Sequence, residues 1–269
     1  MKLNETTIKV CTLAKSVGQF IQLEAQTFTS NRVEEKSFNQ LVSYVDKTAE
    51  EKLVKGLAEI LPEAGFLTEE ATVTTQQKEY TWIIDPLDGT TNFIHQLPIY
   101  SISIALMHHD VPVIGVVFEP NRHELFYAWK DGGAFLNGRA ITVNSNGELS
   151  KSLLATGFPY YDFNQMQSYL NTLQHFLKTT RGMRRMGSAA VDLAYVSCGR
   201  FDGFFEYGLS PWDVAAGILL VQEAGGKVNT FKGIGSPVFD KEIVASSTSI
   251  YDDFFAVIKQ EFATTKFSS

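Results

Sequence analysis

The chain has 269 residues, a net charge of −7 and 44% hydrophobic residues, enough to bury roughly three quarters of its unfolded surface in one large domain or two packed lobes. An acidic chain with pI near 5.3 has no general affinity for nucleic acid or anionic lipid. No run approaches the ~18 apolar residues that span a bilayer, and the N-terminus lacks the apolar core of a signal peptide. The expectation is a cytoplasmic protein without a nucleic-acid or membrane partner, in which Cys11 and Cys198 are small buried hydrophobes rather than a disulfide or a zinc site.

The chain opens with helical spacing from about Glu5 to Thr29, followed by a polar stretch from Ser30 to Phe38 that reads as a mobile loop. A second amphipathic helix runs from Leu41 or Ser43 to Ile60, and Pro62 ends it. Gly65–Thr68 is a short strand-like step into Glu69-Glu70. Strand patterns then follow at Tyr80–Asp85, Ser101–Met107, Val113–Glu119 and Glu124–Trp129, separated by Gly, Pro and Asn turns, and predict a meandering antiparallel sheet.

After Asn144–Gly147 the text changes, which divides a single domain into lobes 1–146 and 147–269. The second lobe alternates strands at Ser152–Thr156, Arg184–Met186, Gly203–Tyr207 and Ile243–Ser246 with four helices. These cover Asn164–Lys178, the stretch after Gly187 through Cys198, Val214–Ala224 and about Ile250–Phe262. Strands and helices mixed in both halves give an α/β (α+β) layered fold.

The most informative stretch is Trp82-Ile83-Ile84-Asp85-Pro86-Leu87-Asp88-Gly89-Thr90-Thr91-Asn92-Phe93. A buried strand ends in two carboxylates three apart. Pro86 stops further sheet pairing, and Gly89-Thr90 opens a helical turn whose free N–H groups suit an anion. Carboxylates beside an anion-binding turn repel the anion unless a cation lies between, so the arrangement asks for a metal. The plainer alternative is a polar strand-to-helix turn with Asp88 or Thr90 as a cap. Two further carboxylate sites, Glu69 after a strand and Asp213 in Ser210-Pro211-Trp212-Asp213, count against it. Alone, the second of these also fits a helix start with a capping box.

The segment Asp85–Phe93 resembles the D-P-[IL]-D-G-T-x-N-F signature of the inositol monophosphatase family, and Trp212–Gly226 resembles its W-D-x-A-[AG]-G…E-A-G-G signature. The resemblance covers about residues 37 to 260. It implies the α-β-α-β-α sandwich of the inositol monophosphatase and fructose-1,6-bisphosphatase type, with two or three Mg2+ ions. Glu69, Asp85, Asp88, Asp213 and the Leu87 carbonyl match the family's metal ligands, all hard oxygen donors suited to Mg2+. Asp46 matches a residue of a third, weaker metal site, although Gln40 and Ser43 depart from the family pattern around it. Lys36 precedes it in a loop and is a candidate catalytic residue, with an ordinary solvated lysine as the alternative.

The family also places an attacking water, activated by metal, against Glu69 and Thr90. By the same resemblance, Gly89 and Thr90 hold phosphate through their N–H groups, and Gly187, Ser188, Ala189 and Glu206 face the substrate hydroxyls. The implied activity is hydrolysis of a small-molecule phosphate monoester, myo-inositol 1-phosphate first, by a lithium-sensitive homodimer. The alternatives are fructose 1,6-bisphosphate, NADP or 3′-phosphoadenosine 5′-phosphate as substrate, or a regulatory protein on the same scaffold.

Overall fold

The computed structural model describes residues 1–28, 33–37, 40–145, 147–160 and 162–263. The first half runs through α1 (Leu3–Thr27), a hairpin of β1 (Val33–Ser37) and β2 (Gln40–Ser43), α2 (Tyr44–Ile60), β3 (Gly65–Thr68), β4 (Tyr80–Asp88) and the single turn α3 (Thr90–Ile94). It ends with β5 (Ser101–His108), β6 (Val111–Glu119), β7 (Glu124–Trp129), β8 (Ala134–Leu136) and β9 (Arg139–Ile141). The second half runs through β10 (Leu153–Thr156), α4 (Met166–Thr179), β11 (Gly182–Arg184), α5 (Ala189–Ser197) and β12 (Gly203–Tyr207). It continues with α6 (Pro211–Glu223), β13 (Lys227–Asn229), β14 (Glu242–Ser246) and α7 (Tyr251–Ala263).

Two kinds of apolar pattern decide where the helices go. On α1 and α2 only a stripe is apolar: Val10, Ala14, Val17 and Ile21 on one, Val45, Ala49, Leu53 and Leu57 on the other, are buried. A stripe needs one apolar neighbour. By contrast α5 is buried at every residue, and α6 from Val214 to Val221; helices apolar all round need cover on both sides.

The sheets supply that cover. Strands β3 to β9 form a seven-stranded meander in chain order, antiparallel except for the parallel β3–β4 pair. Its Trp82, Ile84, Ile104 and Val116 pack on α1 and α2, while Ile83, Ala105, Val117 and Phe126 face α5 and α6. The second sheet, ordered β11-β10-β12-β14-β13, covers the other side of α5 and α6 with Ala155, Phe204 and Ile243. Its Leu154, Phe205 and Val244 face α4 and α7. The result is an α-β-α-β-α sandwich, as expected from the sequence.

Four local differences have physical causes. Within Ser30–Phe38, read as a loop, Val33–Ser37 pairs with Gln40–Ser43; a two-stranded ribbon is made by backbone hydrogen bonds and leaves little apolar signature. Strand β4 does not stop at Pro86 but runs to Asp88. The pairing shifts from Asp85 opposite Ser103 to Asp88 opposite Ser101, so one extra residue is absorbed as a bulge around the proline, which needs no N–H there. Strand β11 begins at Gly182, two residues before the expected Arg184. The short strands β8, β9 and β13 have three residues each, too few to show a period of two.

The middle layer is close-packed at one glycine. A Cβ on Gly115 of β6 would lie 2.6 Å from the Ala216 carbonyl oxygen of α6, and a backbone atom cannot swing aside. Gly115→Val is expected to cost about 3 kcal/mol by overpacking, read as a lower denaturant midpoint at unchanged m-value. A midpoint equal to wild type would show that α6 can lift off the sheet freely.

Candidate active site

The bulge at the end of β4 aims two carboxylates out of the sheet. Asp85 is 1% exposed, and its Oδ1 accepts the Leu87 N–H at 2.9 Å. Asp88 ends the strand, and the next residue, Gly89, has φ +101°. That left-handed turn is open to glycine and strained for other residues, and a Cβ there would sit 3.1 Å from the Gly187 and Ile99 carbonyls. Asp213 arrives from the other half as the third residue of α6. It closes a capping box in which its Oδ2 accepts the Ser210 N–H at 2.7 Å, and one oxygen capping the helix leaves the other for the cavity. Asp85, Asp88 and Asp213 each offer a carboxylate oxygen within 4.8 Å of the others.

These three residues and Glu69 line one cavity of about 300 Å³. Glu69 leaves β3 with its N–H bonded to the Ile84 carbonyl at 3.2 Å, beside the strand that carries Asp85. Glu50, on the buried side of α2, fixes the segment that follows: its carboxylate accepts the Glu70 N–H (2.7 Å), the Thr72 N–H (2.8 Å) and the Thr72 hydroxyl (2.7 Å). Glu50 was not among the expected site residues. Its burial marks it, since a fully buried helix position four after Asp46 is a costly place for an unpaired charge, but that burial is visible only in the structure.

The electrostatics of the cluster are unbalanced. Burial pushes Asp85 well above the usual carboxylate range, and repulsion from Glu69, Asp88 and Asp213 adds to it. Burial likewise raises Asp213, helped by Asp88. Asp88 is pushed up to about 6 by burial, against hydrogen bonds from Ser188, Ala190 and Ala189 and the nearby Arg185. Glu206 is raised to about 8, again by burial, with Arg185 opposing. On the cavity wall stand Glu69, Asp85, Asp88, Asp192, Glu206 and Asp213, and Arg185 is the one cationic side chain among the described lining residues. Converging hard oxygens, mutual repulsion and no histidine in the cluster fit a hard divalent cation such as Mg2+.

The remaining expected residues fall into two groups. Thr90 Oγ1 lies 2.9 Å from Asp46 Oδ1 and 3.0 Å from the Leu87 carbonyl. Asp46 itself is 1% exposed; its Oδ2 accepts the Ser43 N–H and hydroxyl, so it stands behind Thr90 rather than on the cavity wall. The side chain of Lys36 lies outside the described residues. Gly187, Ser188, Ala189 and Glu206 all line the cavity. Ser188 caps α5, but its hydroxyl also donates to Asp88 at 2.6 Å, and the Ala190 N–H donates to the same oxygen at 2.8 Å. The first donors of α5 thus serve Asp88. Glu206 stands over Gly157, where a Cβ would lie 2.0 Å from its carboxylate.

A buried acidic cluster built for a hard cation, at the junction of the two sheets of an α-β-α-β-α sandwich, defines a metal-binding protein of the sugar-phosphatase fold. The sequence matches the inositol monophosphatase family over residues 2–262, and the chain belongs to that family. It is 40% identical over 251 residues to the Nus factor SuhB of Pseudomonas aeruginosa, covering 91% of this chain and 93% of that one. The crystal structure of the extragenic suppressor protein suhB from Bartonella henselae superposes with a TM-score of 0.89 at 35% identity, covering 97% of this chain and 99% of that one. Inositol monophosphatase from Anabaena superposes with a TM-score of 0.85 at 36% identity, covering 97% of both chains. No helix among the described residues is long and apolar enough to cross a membrane.

Proposed function

We propose that the protein is a Mg2+-dependent phosphomonoester hydrolase whose preferred substrate is myo-inositol 1-phosphate. The observation that carries this reading is the meeting of Asp85, Asp88 and Asp213 within 4.8 Å on a cavity that also holds Glu69. Asp85, Asp88, Asp213, Glu69 and the Leu87 carbonyl would hold two Mg2+. Asp46, behind Thr90 with both oxygens taken by hydrogen bonds, would act through Thr90 rather than as a ligand of a third. When bound there, Mg2+ supplies Lewis-acid polarisation of the phosphoryl group and acidifies water.

The chain's own residues do the positioning. The single Thr90 hydroxyl proton goes to Asp46 or to the Leu87 carbonyl, so toward a water Thr90 is an acceptor. The Glu69 carboxyl group offers an acceptor oxygen too. A water donating both protons to these groups turns a lone pair toward phosphorus. Gly89 and Thr90 present N–H groups to the phosphate, and Glu206 accepts hydrogen bonds from leaving-group hydroxyls. Neither cysteine lines the cavity, and burial pushes the Cys11 thiol up to about 12, so no thiolate nucleophile competes with water.

The test is phosphate release with Mg2+ from myo-inositol 1-phosphate, fructose 1,6-bisphosphate, NADP and 3′-phosphoadenosine 5′-phosphate. The expected outcome is a kcat/KM at least tenfold higher for the inositol ester, abolished by EDTA. Full activity in EDTA would reject the metal reading, and a tenfold preference for another ester would reject the inositol assignment alone. The same proposal carries lithium sensitivity, a homodimer and a cytoplasmic setting, checked by LiCl titration, sizing and fractionation. A second reading, a regulatory protein on this scaffold, draws on the name Nus factor borne by the P. aeruginosa relative. The net charge of −7 weighs against direct contact with nucleic acid. Absence of phosphate release from all four esters would favour this second reading.

A further inference from the structure

Two residues on the cavity wall each keep one buried polar atom without a hydrogen bond. Asp192 is 1% exposed, and its Oδ1 is buried without a hydrogen bond. It lies four residues after Ser188, on the same face of α5 as the hydroxyl that anchors Asp88. Arg185 is braced between two rings of the cavity mouth, its guanidinium carbon 5.4 Å from the centroid of Phe158 and 5.5 Å from that of Tyr160. Its Nε–H is also buried and unpartnered. Both residues line the cavity that holds Glu206. Buried polar atoms are nearly always satisfied, and each exception calls for a ligand, an ion or a water.

The chemistry of the pair narrows the ligand. Asp192 Oδ1 offers an acceptor oxygen and the Arg185 Nε–H donates. Burial, with Glu206 and Asp88 beside it, holds the Asp192 carboxyl above the usual range against the pull of Arg185. It is therefore the geometry of the two orphaned atoms, not a full charge, that selects the ligand. A second phosphate on the substrate would only accept, and would meet the carboxylates of the wall. An ammonium group would only donate, and an apolar ring would satisfy neither. A hydroxyl does both at once.

We propose that Asp192 and Arg185 form a second hydroxyl-reading subsite, which makes the enzyme selective for polyol phosphates with hydroxyls beyond the one that Glu206 takes. The inference rests on the phosphatase reading above. A site built around unpaired polar groups discriminates strongly against analogues that leave them unpaired.

The test compares kcat/KM for myo-inositol 1-phosphate with that for phenyl phosphate, which has no hydroxyl on its ring. Wild type, Asp192→Ala, Asp192→Asn and Arg185→Met are measured, each checked for folding by its melting curve. The polyol-to-aryl ratio is expected to fall at least tenfold in Asp192→Ala and in Arg185→Met, chiefly through a higher KM, with partial recovery in Asp192→Asn. An unchanged ratio in Arg185→Met, whatever the absolute rates, overturns the subsite, and that variant decides alone if Asp192→Ala does not fold. Wild type that hydrolyses phenyl phosphate but shows no polyol preference overturns the subsite and leaves the phosphatase standing. Release of phosphate from neither ester overturns the phosphatase reading, and the subsite with it.

Discussion

Asp88→Asn and Asp213→Asn are each expected to lower the proposed Mg2+-dependent kcat/KM by at least about 100-fold, since even outer-shell changes at metal sites cost about 10–100-fold. Both variants should still fold. Asparagine at 213 keeps an oxygen for the Ser210 N–H, and at 88 it keeps one for Ser188 and the Ala190 N–H. Removing a like charge also relieves the repulsion that raises Asp85.

The sign of the pH effect follows. Burial pushes Asp88 up to about 6 from its ordinary 3.8, so between these values the folded state binds more protons than the unfolded one. In that window the metal-free protein loses stability as pH rises. Mg2+ should therefore raise the melting temperature of wild type, more at pH 7.5 than at pH 5, and raise it much less in Asp213→Asn. Equal Mg2+ shifts in wild type and both variants would remove these aspartates from the metal site, independently of any substrate.

The parts of this molecule legible in the sequence are those written in local order. Asp85 and Asp88 close an apolar strand beside an anion-binding turn and ask for a cation on their own, whereas Glu69 and Asp213 are picked out by the family motifs they match. The all-apolar run Val214–Val221 likewise announces a helix covered on both sides. What the sequence hides is partnership across distance. Ser188 reaches Asp88 across 100 residues and Thr90 reaches Asp46 across 44. A helix-start serine and a helix-start aspartate look alike whether they cap, anchor a ligand residue or face a substrate. Asp192 and Glu50 were missed for a related reason: an acidic residue on a helix reads as solvated, and only the packed neighbours show that neither reaches bulk water.

Glu50 yields the other large effect. Its carboxylate is fully buried and takes three hydrogen bonds from Glu70 and Thr72, holding the chain immediately after Glu69 against α2. Hydrogen bonds to a charged group contribute about 1.5–3 kcal/mol each, and Glu50→Ala also strands two backbone N–H groups. A loss of about 3–5 kcal/mol in unfolding free energy is expected, the range for breaking a buried charged contact. Glu69 enters the cavity one residue before this tether, so its carboxylate should lose its fixed place beside Asp85. Half-maximal activation should then need about 10–100-fold more Mg2+, the scale of other outer-shell changes. Glu50→Gln keeps the side chain's length and one acceptor oxygen, and should fall between wild type and Glu50→Ala in both measures. The two effects are separable at a temperature well below the midpoint of every variant, where the folded fraction is complete. If Glu50→Ala melts at a lower temperature than wild type but activates at the wild-type Mg2+ concentration, the tether supports the fold and does not place Glu69.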